Sequence, residues 1–212
     1  IMETANQIEQ ELMCYIAEHQ IRNTHSHHLP EQTMRDFNLD KLINNVYLQW
    51  QDITPGTTAE SRPAYLEKMR YKSYFIWLQK AIGQVYGIPD PITAKNWDFI
   101  SDQISKAHQN PAFYMDVLKN KCKYQQIIVD TYWNPGSDNG RPELFTPAFR
   151  LDLFFLGYKK GLRNHDGVSL EEKFGTLPDN LNDYVEWVRK WIIHKKNEGC
   201  VALKIALAYE RS

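Results

Sequence analysis

Apolar positions recur every three or four residues through the first half of the chain, then give way to short continuous apolar runs. The first periodic segment has Thr4 placed as its cap and carries Ile8, Leu12, Tyr15, Ile16 and His19 on one side, which predicts an amphipathic helix. It leads into "QIRNTHSHHL", where Ile21 begins an extended stretch that ends at Pro30. Helical spacing returns at Phe37, Leu42, Ile43, Val46 and Trp50, and the turn formers of "DITPGTTAESRP" mark a loop. One long aromatic helix is expected from Pro63 to Tyr86, stopped by Gly87 and Pro89. Thr93 opens a further helix with Trp97, Ile100, Ile104 and Ala107 on one face, and "PAFYMDVLKNK" reads as a shorter one. From about residue 31 to 123 the pattern is helix after helix, with no strand among them.

Beyond this point the period changes. "YQQIIVDTYW" is short, β-branched and aromatic, and Asn134-Pro135-Gly136 ends it, as expected for a buried strand followed by a turn. A second strand is expected around Pro147 to Leu151, against the usual exclusion of proline from sheet interiors. A long amphipathic helix follows from Ser169 to Gly199, with Leu181, Tyr184, Val185, Val188, Trp191 and Ile192 inward. "CVALKIALAY" reads as a closing, nearly continuous apolar strand broken only by Lys204. Strands alternating with helices predict an α/β protein with parallel strands covered on both faces, as in a barrel or a doubly wound sheet. No GxGxxG or GxxxxGK[ST] follows any strand, which argues for the barrel.

Composition narrows the class. The 212 residues are 42% hydrophobic, 24% charged and 13% aromatic, long enough for a substantial core. A net charge of −1, with Lys and Arg dispersed, gives no footprint for nucleic acid. Cys14, Cys122 and Cys200 form no CxxC or Cys/His pattern, so free thiols in a reducing compartment are expected. There is no apolar run of about eighteen residues and no basic start followed by an apolar stretch, so neither membrane span nor signal peptide is expected. These features suit a soluble, cytoplasmic protein.

The candidate chemistry begins at "IRNTHSHHLPE", where His25, His27 and His28 crowd together in a chain with seven histidines. In extended backbone, residues two apart share a side, so His25 and His27 converge while Ser26 and His28 face away. Two imidazoles aimed together are half of a divalent metal site; the alternative is a pair of solvated histidines before Pro30. Lys204 sits inside an apolar strand, where an ammonium must be paired, altered or led out to solvent at the strand's end. Arg150 ends a presumed strand and suits a carboxylate ligand, or equally a pair with Asp152. Asp130 and Tyr132 end another strand and are in reach of the same pocket. His19 reads as a core or interface residue, His165 and His194 as surface residues, and Cys200 lacks a local nucleophile motif.

Taken together these strand ends resemble the N-terminal half of uronate isomerases and related members of the amidohydrolase superfamily. "NTHSHHL" is similar to the family's DxHxHL, matching at His25 and His27, with Asn23 in place of the aspartate and an extra histidine before Leu29. "YKSYFIWLQKAIGQVYGI" looks like part of the family's helical insertion, and "PAFYMDVLKNKCKYQQIIVDTYWNPG" like the helix leading to its second strand. "PAFRLD" echoes a PxFRPD strand and "GCVALKIA" a GCRxxDH strand, placing Lys204 where the isomerases have an aspartate. The resemblance covers nearly all of the chain in order.

It implies a TIM (β/α)8-type barrel, of which this chain supplies about the first four strands plus a helical insertion. Residues 1–20 would form an N-terminal helix, 21–30 the first barrel strand, 31–123 the insertion, and 124–212 strands two to four with their helices. The resemblance also implies a divalent metal, zinc, as one or two ions on His25 and His27, with Lys204 as a further ligand if carboxylated. Arg150 would bind a carboxylate on a small-molecule substrate. Lysine for aspartate shifts the implied chemistry from aldose–ketose isomerisation toward metal-assisted hydrolysis. The alternatives are a sugar-acid isomerase, or a catalytically decayed barrel with an interaction role. Missing strands make the C-terminal half of the barrel the implied partner, with a homo-oligomer as a second form of association.

Overall fold

The structure, a computed structural model, describes residues 2–48, 58–89 and 91–209. Trp50 and the 52–57 part of the expected loop lie outside the described residues. In chain order the elements are α1 (Met2–Glu18), β1 (Ile21–Ser26), α2 (Glu31–Met34), α3 (Leu39–Asn44), α4 (Arg62–Met69), α5 (Ser73–Tyr86), α6 (Trp97–His108) and α7 (Phe113–Asp116). A π-helical turn (Val117–Lys121) precedes β2 (Tyr124–Val129) and β3 (Phe145–Arg150). A 3-10 turn (Asp152–Leu156), α8 (Leu170–Phe174), α9 (Leu181–Asn197), β4 (Ala202–Lys204) and a second 3-10 turn (Leu207–Tyr209) complete the order. The chain divides into two compact units, one formed by Ile1–Leu29 with Tyr124–Ser212 and the other by Pro30–Lys123.

Among its described residues the 30–123 unit holds helices and turns and no strand. Leu39 and Ile43 of α3, Tyr65 and Met69 of α4, Phe75 and Ile82 of α5, and Trp97, Ile100 and Ile104 of α6 bury into one core. The helix expected from Pro63 to Tyr86 is two, because Lys72 is extended and turns the chain before Ser73. That break lets α4 and α5 both face Trp97, with Tyr65 edge-on to Phe75 and to Trp97.

The other unit holds a sheet of four strands in the order β1-β2-β3-β4, every pair parallel. All strand C-termini therefore open on one edge, where loops converge and α/β proteins place their sites. Phe149 packs outward into a cluster with Leu153, Phe154, Leu170, Leu177 and Cys200, against which Tyr184, Trp187, Val188, Trp191 and Ile192 lean. Pro147 is accommodated inside the sheet because its carbonyl accepts from Val201 N, so the absent N–H falls on the side where β4 is only beginning.

Several expectations are corrected here. Helix α1 already includes Met2, so Thr4 lies within it rather than before it. Its stripe of Ile8, Leu12, Tyr15 and Ile16 is exposed, and so is His19, whose ring stacks on Tyr15 and bonds the Tyr15 carbonyl instead of entering a core. The long helix after Ser169 is interrupted: a capping box of Ser169 and Glu172 starts α8, Gly175 at φ +87° ends it, and Asn180 caps α9 afresh. Leu181 and Val185 point to solvent, while the Tyr184, Val188, Trp191 and Ile192 side packs inward. The closing strand is only three residues, because Ala206 N–H is taken by the buried Asp152 carboxylate and the chain turns there.

Candidate functional site

The sheet's pleat decides which side chains meet. Gln126 of β2 donates to Thr146 of β3 (2.8 Å), and β3 and β4 are registered with Ala148 beside Ala202 and Arg150 beside Lys204. One face thus carries Gln126, Ile128, Thr146, Ala148 and Ala202 and ends in Asp130, Arg150 and Lys204, while Ile127, Val129, Phe145 and Phe149 lie buried on the alternate positions. The strands are not apolar on both faces; the second face is a site wall.

His25 and His27 come off the end of β1 with rings edge-to-face at 4.9 Å. The side chain of Asn23 accepts from His25 N (3.1 Å), so it shapes the local turn. His27 Nδ1 lies 2.7 Å from the Asp130 carbonyl, which can only accept, so Nδ1 carries the proton and Nε2 is left with its lone pair. This hydrogen bond to the ring's other nitrogen is the kind that orients a metal-ligating histidine. His25 Nε2 is 3.0 Å from Lys204 Nζ and 3.8 Å from Asp130 Oδ2. Burial, then the charge of Lys204 and the neighbouring His27, hold the His25 imidazole below its ordinary pKa, against the pull of Asp130.

Asp130 is the centre of the group. It is fully buried, one residue beyond the apolar run of β2. Its Oδ2 accepts from Arg150 Nη2 at 2.9 Å, and its Oδ1 is buried with no hydrogen-bond partner. A buried carboxylate oxygen without a donor is costly unless something electropositive meets it. Two imidazoles and this carboxylate offer ligand atoms all within 4.8 Å of one another, a nitrogen and oxygen set suited to a divalent transition metal. The residues therefore fit a metal ion, whose identity this donor set does not specify.

Arg150 is almost enclosed, and its guanidinium faces three carboxylates: Asp130, Asp152 at 3.4 Å and Asp166 at 3.6 Å. Tyr132 stacks its ring 5.4 Å from the guanidinium carbon and stands edge-on to His27. The sequence-predicted residues His25, His27, Lys204 and Arg150 are thus all gathered at one end of the sheet, with Asp130 and Tyr132. Asp130 had signalled itself only as an acid after an apolar strand, and Asp166 not at all. His28 turns away and packs beside Phe145 and Tyr124, where burial and then His27 lower its pKa. His165 stands 3.5 Å from Asp166, and His194 pairs with Glu198 on the surface of α9. The Cys200 thiol, at the opposite end of β4, is pushed up by burial.

A mixed α/β chain whose four parallel strands form half of a barrel-like sheet, with its charged residues at the strand ends, is the class these features define. The same fold occurs in uronate isomerase from Thermotoga maritima, whose crystal structure matches at a TM-score of 0.61 and 16% identity over 92% of this chain. The match covers 48% of that protein, so this chain spans about half its length. No protein-family model matches the chain, and no curated protein matches it in sequence. Among the described residues, no helix is long and apolar enough to cross a membrane.

Proposed function

We propose that this chain carries one side of the active site of a metal-dependent hydrolase, built on half of a TIM-type barrel and related to the amidohydrolases. The observation that supports this most is the convergence of His25, His27 and the buried carboxylate of Asp130, whose other oxygen has no hydrogen-bond partner, where parallel strands end. His25 and His27 would hold a divalent ion, zinc, with Asp130 as the anionic ligand. A bound ion there supplies Lewis acidity and makes a water acidic enough to deprotonate near neutral pH. The chain's own residues set the rest. The Asp130 carbonyl fixes the His27 tautomer, and Arg150 holds the carboxylate of Asp130 in place through its Oδ2.

Arg150 would also receive a carboxylate of the substrate. Asp166 is its longest and most exposed ion-pair partner, so a substrate carboxylate replacing Asp166 would find a charged, preset donor. The remaining ligands would come from further strands, the C-terminal half of the barrel, and a cytoplasmic location is part of the same reading.

The likeness to a uronate isomerase supports a second reading, conversion of a hexuronate to a ketouronate at the same site. Zinc content measured by atomic emission, together with turnover of ester, lactone, amide and hexuronate substrates, tests both. We expect bound metal that is lost in the His25→Ala, His27→Ala double variant, and hydrolysis rather than isomerisation. Metal content unchanged by the double variant would refute the metal centre. Isomerisation without hydrolysis would favour the second reading, and neither activity in a metal-free protein a decayed barrel with an interaction role.

A further inference from the structure

We infer that Lys204 is a tethered cation that competes with a divalent ion for His25, so that the site holds either the ammonium or the ion. This rests on the reading of His25, His27 and Asp130 as a metal centre, and assigns Lys204 a role opposite to that of a ligand.

The geometry points to it directly. Lys204 Nζ lies 3.0 Å from His25 Nε2, and an ammonium has donors only, so it takes the lone pair of that nitrogen. His25 Nε2 is also the ring atom that faces Asp130, at 3.8 Å. An ion bound to it would stand about 2.0–2.1 Å away along the same lone pair, in the space the ammonium fills. The same contact leaves no gap between Nζ and Nε2 for a carbamate and an ion together. A carboxylated Lys204 would have to withdraw and approach the site by another path.

The fold gives Lys204 somewhere else to go. Its strand is three residues long and, among the described residues, stands at the edge of the sheet, and the residue is partly exposed. A flexible four-carbon stem can carry the ammonium from His25 into water without breaking the ladder between β3 and β4. In the absence of an ion the ammonium supplies positive charge beside two imidazoles and a buried carboxylate; an incoming ion supplies the same charge more strongly and expels it. Metal affinity is then set partly by Lys204, as an internal competitor.

Zinc chloride titrated calorimetrically into the wild type, Lys204→Leu, Lys204→Arg and His25→Ala tests the assignment, with circular dichroism confirming that each is folded. Removing the charge in Lys204→Leu should tighten zinc binding by a factor of about ten or more, while Lys204→Arg, which keeps a cation, should bind no more tightly than wild type. His25→Ala should lose most of the binding. Weaker binding by Lys204→Leu than by wild type, or wild-type binding strengthened by added bicarbonate, would overturn the inference and make Lys204 a ligand while leaving the metal centre intact. Equal affinities in the wild type and Lys204→Leu would overturn it as well. No zinc binding by any form would remove the metal centre, and the inference with it.

Discussion

Arg150 and Asp130 bury opposite charges against one another at the ends of β3 and β2, and nearly everything at the site hangs on how that pair is satisfied. The side chains of Asp130 and Asp152 are each 1% exposed, and Arg150 is the cation that faces both. Taking away one partner of a buried ion pair leaves an uncompensated charge, which costs about 3–5 kcal/mol. Arg150→Met is therefore expected to lower unfolding free energy by about that amount in urea titrations. Arg150→Met with Asp130→Asn should lose less than the sum of the single variants, because they share one interaction. A loss under about 1 kcal/mol for Arg150→Met would show that water already reaches these acids. The sequence made part of this visible. That His25 and His27 share a side follows from the two-residue period of extended chain, a purely local rule. That Lys204 reaches His25 across 179 positions, from one outermost strand to the other, is a product of tertiary structure, which no local pattern encodes. Asp130 was legible only as an acid ending a strand; its weight comes from three strands meeting around it.

At the level of elements, helix packing turns on a few close approaches and one buried titratable pair. A β-carbon at Gly157 would overlap the hydroxyl of Tyr184, which donates to the Phe154 carbonyl at 2.6 Å and ties α9 to the turn after β3. Gly157→Ala should expel that ring and destabilise the 124–212 side by about 1–3 kcal/mol, read as a lower Tm. In the helical unit, His108 of α6 is buried with its Nε2 2.8 Å from the Tyr86 hydroxyl of α5. Burial lowers the His108 pKa from 6.5 and raises that of Tyr86, so folding favours the neutral imidazole. The unfolded chain takes up a proton first, so the contribution is complete above pH 6.5 and is lost as the pH falls below it. Thermal unfolding followed from pH ~8 to pH ~5 should show a steeper acid decline for wild type than for His108→Gln; parallel curves would contradict it. Periodicity predicted these helices because it reports which positions are apolar. It overreached for α1, α9 and β4, because a stripe of apolar residues does not say whether anything covers it.

For the molecule as a whole, uncovered apolar surface is the quantity left to explain. Among the described residues, β1 and β4 each have one neighbouring strand, so the sheet has two open edges. Val201, Leu203 and Ile205 around β4 are half-exposed or more, and an apolar groove lined by Phe149, Ile192, Cys200, Val201 and Leu203 runs beside them. Parallel sheets are ordinarily covered on both faces, and open apolar edges template further strands. If the natural neighbours of these edges are further barrel strands, the 212-residue chain on its own should pair its edges with other copies instead. Its mass in sedimentation equilibrium should then exceed the calculated 25.0 kDa and rise with concentration. Leu203→Lys with Ile205→Lys should suppress the association by setting charge on the edge strand, while leaving the sheet's buried Phe149 cluster intact. A concentration-independent 25.0 kDa species for the unsubstituted chain would mean that the four strands are stable with their edges open, and the expectation that further strands cover them would fall with the prediction.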